Sequence, residues 1–145
     1  MRQKIFADPD AALAGLLRNG LTIMSGGFGL SGNPESLIDV VRRKNANGVV
    51  FLSGDVHYAE LSKLDVNVPY TLWDLTSSGL TEEWRVPTPN ANRVSGVLPE
   101  ANFGFIDIDW QGPSTRLTLG IADAKGKTRM SWVIELASLA GGAPR

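Results

Sequence analysis

The sequence predicts a mixed α/β fold with two helices near the amino terminus and an antiparallel β-meander near the carboxyl terminus. Three observations lead to this prediction: helix-start signals in the first third, a continuous apolar run at Val49-Val50-Phe51-Leu52, and alternation of apolar and polar residues in the last third. In a helix, side chains return to the same face every 3.6 residues, whereas successive side chains of a half-buried strand alternate between the core and solvent. The change of period along the chain therefore indicates helices first and strands last.

Two helices are predicted in the first third. Asp8-Pro9-Asp10 places a capping carboxylate before a proline suited to a first helical turn, and this helix is expected to run to about Arg18. Asn33-Pro34-Glu35 repeats the pattern, and an apolar stripe follows before Arg42-Arg43-Lys44 meets the negative end of the helix. Between the helices, Leu21-Thr22-Ile23-Met24 is predicted to form a short buried strand.

Strands are predicted over most of the remaining chain. The apolar run at 49–52 fits a strand buried on both faces, and a further strand is expected around 71–75. Residues 76–100 are interpreted as a long, mostly irregular connection. Alternating segments at 104–110, 116–121 and 129–136 are separated by turn residues, which favours a meander. The tryptophans are interpreted as core or core-edge anchors: Trp73, Trp84, Trp110 and Trp132.

Composition narrows the class of protein. A chain of 145 residues with 43% hydrophobic and 20% charged residues has the size and balance of one globular domain. A net charge of -1 without a basic block argues against nucleic-acid and membrane-surface partners. The lack of cysteine excludes disulfides and thiolate zinc sites within the chain. No apolar run is long enough for a signal peptide or a membrane span, so a cytoplasmic location is expected.

The strand at 49–52 leads directly into Ser53-Gly54-Asp55-Val56-His57, which makes Asp55 and His57 the main candidate site residues. The loop after a buried strand is where α/β folds commonly place functional groups. His57 is the only histidine, and such a residue is either a structural hydrogen-bonding group or a metal ligand. Tyr58 and Glu60 are nearby polar candidates, for which a surface or packing role is favoured. Asp107 and Asp109 alternate on one strand face that is expected to be solvated, and no chemistry is assigned to them.

The predicted strand and the loop after it read Gly48-Val49-Val50-Phe51-Leu52-Ser53-Gly54-Asp55-Val56-His57-Tyr58-Ala59-Glu60-Leu61. This segment resembles the last metal-site strand and loop of alkaline phosphatase D (PhoD-like) metallophosphatases. The resemblance continues through 73–81 and 102–110 and covers about residues 35–137. It implies a partial metallophosphatase-like sandwich and hydrolysis of phosphoester substrates with bound metal ions, iron or calcium. It also implies that Asp55 and His57 are catalytic and metal-binding residues.

A second resemblance lies nearer the amino terminus, where the sequence reads Asn19-Gly20-Leu21-Thr22-Ile23-Met24-Ser25-Gly26-Gly27-Phe28-Gly29-Leu30-Ser31-Gly32-Asn33-Pro34-Glu35. This segment resembles the amino-terminal signature of the first subunit of 3-oxoacid CoA-transferases, with departures at Ser25 and Asn33. The resemblance extends over about residues 3–44. A glycine-rich loop before a helix can present backbone N–H groups to an anion, which makes Gly26, Gly27 and Gly29 candidates for binding CoA or another anion. The alternative is a plain strand-to-helix turn.

The two resemblances together predict a fusion with a CoA-transferase-like segment at 1–34, a phosphatase portion at 35–137 and a flexible tail at 138–145. Its origin stays open between natural recombination, an assembly artefact and deliberate joining.

The leading hypothesis is a truncated metal-dependent phosphoesterase that is weakly active or inactive, because the family's earlier metal motifs have no counterpart in residues 1–34. The alternatives are a CoA-transferase-related fragment that binds CoA or an anion, and a non-catalytic folded remnant. Strand faces left without the missing half could pair two copies, so a homo-oligomer is also expected.

Overall fold

The computed structural model describes residues 5–19, 21–25, 34–44 and 47–140, and within them it has a mixed α/β fold. Its elements are, in chain order, α1 (Pro9–Leu13), β1 (Thr22–Ser25), α2 (Glu35–Arg43), β2 (Val50–Ser53), β3 (Ala59–Leu64), β4 (Leu72–Ser77), β5 (Asn102–Asp109), β6 (Arg116–Asp123), β7 (Thr128–Glu135) and a 3₁₀-helix (Leu136–Leu139). None of the helices in these ranges is long and apolar enough to cross a membrane.

Helix α1 begins as predicted but is shorter than predicted. The Asp8 carboxylate accepts a hydrogen bond from the Ala11 backbone N–H at 2.7 Å, which is the expected cap. The helix ends at Leu13, because Gly15 has a φ of +74° and this left-handed conformation stops a right-handed helix. The prediction that α1 runs to Arg18 is therefore wrong.

Helix α2 forms where the second apolar stripe predicted it. Asp39 lies 2.7 Å from both Arg42 and Arg43 in ion pairs along the helix, and Arg43 also reaches Asp10 at 2.9 Å. The residue before the helix, Pro34, makes no side-chain capping bond, and the predicted cap at Asn33 lies outside the described residues. The Arg43–Asp10 contact ties α2 to α1.

The first sheet has four strands in the order β1-β2-β4-β3. Strands β1, β2 and β4 are parallel, and β3 is antiparallel to β4. Strand β3 was not predicted from the sequence, because its buried residues include Glu60 and Ser62, whose side chains are typical of exposed positions. The predicted buried strand at 49–52 is confirmed as β2, and β4 confirms the strand expected around 71–75.

The second sheet is the predicted antiparallel meander, in the order β5-β6-β7. The long connection that precedes it begins after Ser77 and is not wholly irregular. Leu98 pairs with Ala59, and Arg93 pairs with Ser62, in isolated bridges to β3. The connection therefore lies along the free edge of β3 and covers it, as sheet edges usually require.

The core lies between the two sheets. Leu61 of β3 and Leu119 and Ile121 of β6 are fully buried, and Leu75 of β4 is 3% exposed. Gly104 of β5 lies so close to Leu75 that a Cβ atom there would be 3.3 Å from its side chain. The α/β class is thus confirmed, whereas the finer assignment to a partial metallophosphatase-like sandwich stays a prediction.

Two predictions about the packing need correction. Trp84 and Trp110 are 55% and 69% exposed, so they are not core anchors, although Trp73 and Trp132 do pack against the core. At the other end, Leu139 is fully buried and its carbonyl accepts a 2.7 Å hydrogen bond from the Gly48 N–H. Residues 138 and 139 of the predicted flexible tail are therefore folded, and 141–145 lie outside the described residues.

Candidate functional site

The carboxyl ends of the three parallel strands meet at one edge of the first sheet. Ser25 of β1 lies opposite Ser53 of β2, and Ser53 lies opposite Thr76 of β4. Ligands of open α/β sheets bind outside this edge, where loops leave the strands. The loop that carries Asp55 and His57 leaves β2 there. Gly26, Gly27 and Gly29 follow β1 directly in the sequence but lie outside the described residues.

The loop after β2 has an unusual backbone. Asp55 has a φ of +70° and His57 a φ of +60°. Left-handed conformations cost free energy for residues with a Cβ atom and persist where the surroundings enforce them, often at functional sites. Here the hydroxyl oxygen of Ser78 accepts hydrogen bonds from the Val56 and His57 N–H groups, both at 3.0 Å. The Trp84 N–H donates to the His57 carbonyl at 2.9 Å.

The position after Ser78 must be a glycine. A Cβ atom on Gly79 would lie 2.3 Å from Nδ2 of Asn102 and 3.1 Å from the His57 carbonyl oxygen. Asn102 is 1% exposed and its amide nitrogen donates to the Glu100 carbonyl at 2.8 Å, so it has no room to withdraw. Gly79 therefore lies close to both the loop after β2 and the start of β5.

The side chains of Asp55 and His57 lie in different surroundings. Asp55 is exposed, and the His57 Nδ1 atom lies 3.2 Å from a carboxylate oxygen of Glu82. Glu82 was missed by the sequence analysis because it sits in a connection without periodicity. No group of three or more His, Asp or Glu side chains within 5–19, 21–25, 34–44 and 47–140 is placed to hold a metal ion. The described residues thus do not form a complete site for iron or calcium, and metal binding by Asp55 and His57 stays a prediction.

Next to this loop, the outer face of the first sheet carries a cluster of polar side chains that the sequence analysis did not single out. The Ser53 hydroxyl lies 2.7 Å from the Thr76 hydroxyl and donates to Oδ2 of Asp74 at 3.1 Å. Oδ1 of Asp74 is buried and has no hydrogen-bond partner among the described residues. Burial raises the pKa of Asp74 to about 6, against the hydrogen bond from Ser53, and the Glu60 charge adds to the rise.

Glu60 and Tyr58 are buried, at 4% and 3% exposure. The Glu60 carboxylate accepts hydrogen bonds from Nε of Arg93 at 2.5 Å and from Nδ2 of Asn90 at 2.6 Å. Because a buried carboxylate needs such partners, Glu60 anchors the long connection onto β3.

The two aspartates of β5 face solvent. Asp107 is exposed, and Asp109 lies 2.9 Å from Arg116 of β6. The hydrogen bond from Arg116 holds the pKa of Asp109 below its ordinary value.

A cavity of about 500 Å³ with polar and apolar walls opens on the outer face of the sheet. Its floor is the Ser53, Asp74 and Thr76 cluster, Ile38 of α2 lines one side, and Asn90 of the long connection lines another. Lone polar residues in strands leave no periodic signal, so the sequence alone could not bring these positions together.

Comparison with known proteins places the amino-terminal part of the chain in a family. The Coenzyme A transferase family profile matches residues 6–91. The chain is 44% identical over 52 residues to the A subunit of succinyl-CoA:3-ketoacid coenzyme A transferase from Xanthomonas campestris pv. campestris (strain B100), covering 36% of this chain and 22% of that protein. It is 42% identical over 52 residues to the corresponding A subunit from Helicobacter pylori (strain J99 / ATCC 700824), with the same coverage.

These matches support the predicted CoA-transferase-like amino-terminal region. Neither of these two relatives is a phosphatase, and the family match runs across the boundary predicted between 34 and 35 and over Asp55 and His57. The phosphatase resemblance of 35–137 therefore stays a prediction. The chain spans about a fifth of the length of the curated relatives it matches, at 22% coverage. Through residues 6–91, the chain belongs to the Coenzyme A transferase family.

Proposed function

We propose that the chain is a CoA-transferase-related fragment that binds the phosphate groups of CoA, or a comparable anion, at the carboxyl edge of β1, β2 and β4. The family match over residues 6–91 carries this proposal. The fold is consistent with it, because the register Ser25–Ser53 places the carboxyl ends of β1 and β2 side by side, and the glycine-rich segment follows β1 directly in the sequence.

Helix α2 follows the glycine-rich segment and offers a second contribution. The first N–H groups of a helix have no partner within the helix and carry partial positive charge. Pro34 supplies no side-chain cap to them. Glu35 stands in the first turn and opposes an anion there. The partial positive charge of the helix start favours an anion and the Glu35 carboxylate opposes it, so we expect the anion to bind weakly. We expect no acyl transfer from a chain that covers 22% of the relatives' length.

Calorimetric titration of the purified chain with CoA and with pantetheine tests this proposal, because pantetheine lacks the phosphate groups. We expect saturable binding of CoA and none of pantetheine. Gly27→Asp adds a carboxylate to the glycine-rich segment and should weaken CoA binding at least about tenfold. Gly96→Asp is the matched control, since it adds the same charge where a Cβ atom meets nothing closer than 3.9 Å. Equal binding of CoA and pantetheine would contradict the proposal.

We propose as a second function a phosphoesterase remnant at Asp55 and His57, in line with the alkaline phosphatase D resemblance. The observation that favours it is the pair of left-handed residues held by Ser78 at the carboxyl end of β2. Removing one charge-stabilising group commonly costs a phosphoryl or acyl transfer enzyme about a hundredfold or more in rate. With the ligand set incomplete among the described residues, we expect hydrolysis of p-nitrophenyl phosphate to be undetectable or very low.

Metal analysis by mass spectrometry separates the two functions. Iron or calcium that copurifies with the chain and is lost in His57→Ala would support the phosphoesterase remnant. Glu82→Gln should keep the metal, because it removes only the charge of the carboxylate beside Nδ1. Phosphoester turnover that survives His57→Ala would show that Asp55 and His57 are not the site.

A further inference from the structure

Strand β7 is an open edge of the second sheet, because in the order β5-β6-β7 it pairs with β6 alone. Within the described part of the chain, the backbone of 128–135 is hydrogen-bonded only to β6 and, at the Glu135 carbonyl, to the Ser138 hydroxyl at 2.7 Å. The other edge is covered, since the Asn102 N–H of β5 donates to the Gly79 carbonyl at 3.4 Å. Alternate backbone N–H and C=O groups of β7 therefore point away from the sheet.

The open edge lacks the features that keep sheet edges from pairing with another chain. Such edges are commonly very short, or carry a proline or a charge in the middle of the strand. Strand β7 has eight residues, and its central segment Met130-Ser131-Trp132-Val133-Ile134 contains neither proline nor charge. Aromatic and β-branched residues of this kind favour strand pairing. The edge can therefore accept a further strand.

The charges of β7 indicate which strand fits. Arg129 and Glu135 are exposed and lie three residues before and three residues after Trp132. An antiparallel copy of β7, paired about a two-fold axis at Trp132, therefore places each Arg129 opposite the Glu135 of the other copy. Arg129 is available for this contact, because its side chain is 40% exposed and lies 3.7 Å from Asp123, near the limit of an ion pair.

Glu135 is available as well. One of its carboxylate oxygens accepts a hydrogen bond from the Ser114 hydroxyl, and the carboxylate makes no ion pair with any other residue that the structure describes. Arg116 lies opposite Glu135 on β6 but is bonded to Asp109 at 2.9 Å. Opposite charges that face each other across two strands stabilise the pairing. The sequence of β7 is thus complementary to itself in the antiparallel direction.

We propose that two copies of this chain associate through their β7 strands, which pair antiparallel about a two-fold axis at Trp132 and join the two meanders into one sheet. In this register Met130 faces Ile134 on the core side, and Ser131 faces Val133 on the outer side. A two-fold contact closes on itself, so the assembly stops at the dimer. Because each copy contributes one strand, the interface is small and the dimer weak. It does not depend on CoA binding.

Sedimentation velocity of the whole chain between about 10 μM and about 1 mM tests this dimer. We expect a shift from monomer to dimer over this range. Arg129→Glu and Glu135→Lys each place like charges opposite one another on both sides of the axis and should weaken the dimer at least about tenfold. An equimolar mixture of the two variants should associate again, because opposite charges then meet in the mixed dimer. Asp107→Lys reverses an exposed charge on β5 and should leave the dimer unchanged.

Amide hydrogen exchange shows whether the edge itself is the contact. The outward N–H groups within 130–134 should exchange at least about twofold more slowly at the highest concentration than at the lowest, because pairing shields them from water. A chain that stays monomeric over the whole range would overturn the proposal. So would a dimer that both charge reversals leave intact, a mixture of the two variants that stays monomeric, or exchange at 130–134 that does not change with concentration.

Discussion

At the scale of single residues, the loop after β2 shows how a neighbouring strand can impose an unfavourable backbone. Asp55 and His57 both adopt positive φ angles, and the intervening Val56 shares the Ser78 hydroxyl with His57. Each left-handed residue costs on the order of 1 kcal/mol or more, so the contacts made by Ser78 must offset that cost.

Replacing this hydroxyl is therefore expected to destabilise the protein. Ser78→Ala leaves two part-buried N–H groups without their acceptor and should lower the free energy of unfolding by about 1–3 kcal/mol. Urea denaturation measures the change, with Ser131→Ala on the exposed side of β7 as the control. A loss no larger than that of the control would mean that Ser78 does not hold the loop.

Asp74 makes the stability depend on pH in a direction opposite to that of most carboxylates. Its pKa is raised from an ordinary 3.8 to about 6, so the folded chain binds this proton more tightly than the unfolded chain does. The stabilisation is complete below the unfolded pKa and is lost as the pH rises through the folded pKa. The amide in Asp74→Asn cannot ionise. As the pH rises from about 4 to about 7.5, the free energy of unfolding of Asp74→Asn should therefore increase by about 1–3 kcal/mol relative to that of the unaltered protein.

Urea unfolding of both proteins at the two pH values measures this difference. Comparing the change with pH, and not the absolute stability, cancels the effect of the new amide group. A difference that stays constant with pH would show that the Asp74 carboxylate is not buried as described.

At the scale of elements, the strands that have a local periodic pattern could be predicted from the sequence, and the strand that depends on tertiary contacts could not. The meander β5-β6-β7 and strand β2 were predicted because alternation and apolar runs are local patterns. Strand β3 was missed because Arg93 and Asn90, about thirty residues further on, make its buried Glu60 tolerable. The same holds for the candidate site: Asp55 and His57 share a short loop, whereas Glu82 and Asp74 come near it only through the fold.

Hydrogen exchange should rank the elements by their burial. We expect the slowest backbone exchange in β6, whose Leu119 and Ile121 are fully buried, and in β2. The exposed stretch at 81–86 and the short helix α1 should exchange fastest. Mass spectrometry of timed exchange samples gives this ranking, and uniformly fast exchange would mean that the chain does not fold by itself.

At the scale of the whole molecule, two sheets with different strand arrangements share one core. The parallel strands bring loops from distant parts of the sequence to their carboxyl ends, at one edge of the first sheet. The meander packs against one face of that sheet, and the core lies between them. Exposed apolar residues on the meander, Trp110 at 69% and Val133 at 62%, are consistent with the predicted self-association, which stays a prediction. The cytoplasmic location and the fusion boundary between 34 and 35 also stay predictions.

The central claim is that the carboxyl edge of β1, β2 and β4 binds the phosphate groups of CoA. Backbone amide NMR during addition of CoA tests it most directly, because it locates the bound ligand residue by residue. We predict saturable shifts at Gly54, Val56 and Ser78, next to the ends of β2 and β4, and none in the connection at 65–70 at the opposite edge. Shifts confined to 65–70, or no saturable shift at all, would contradict the claim.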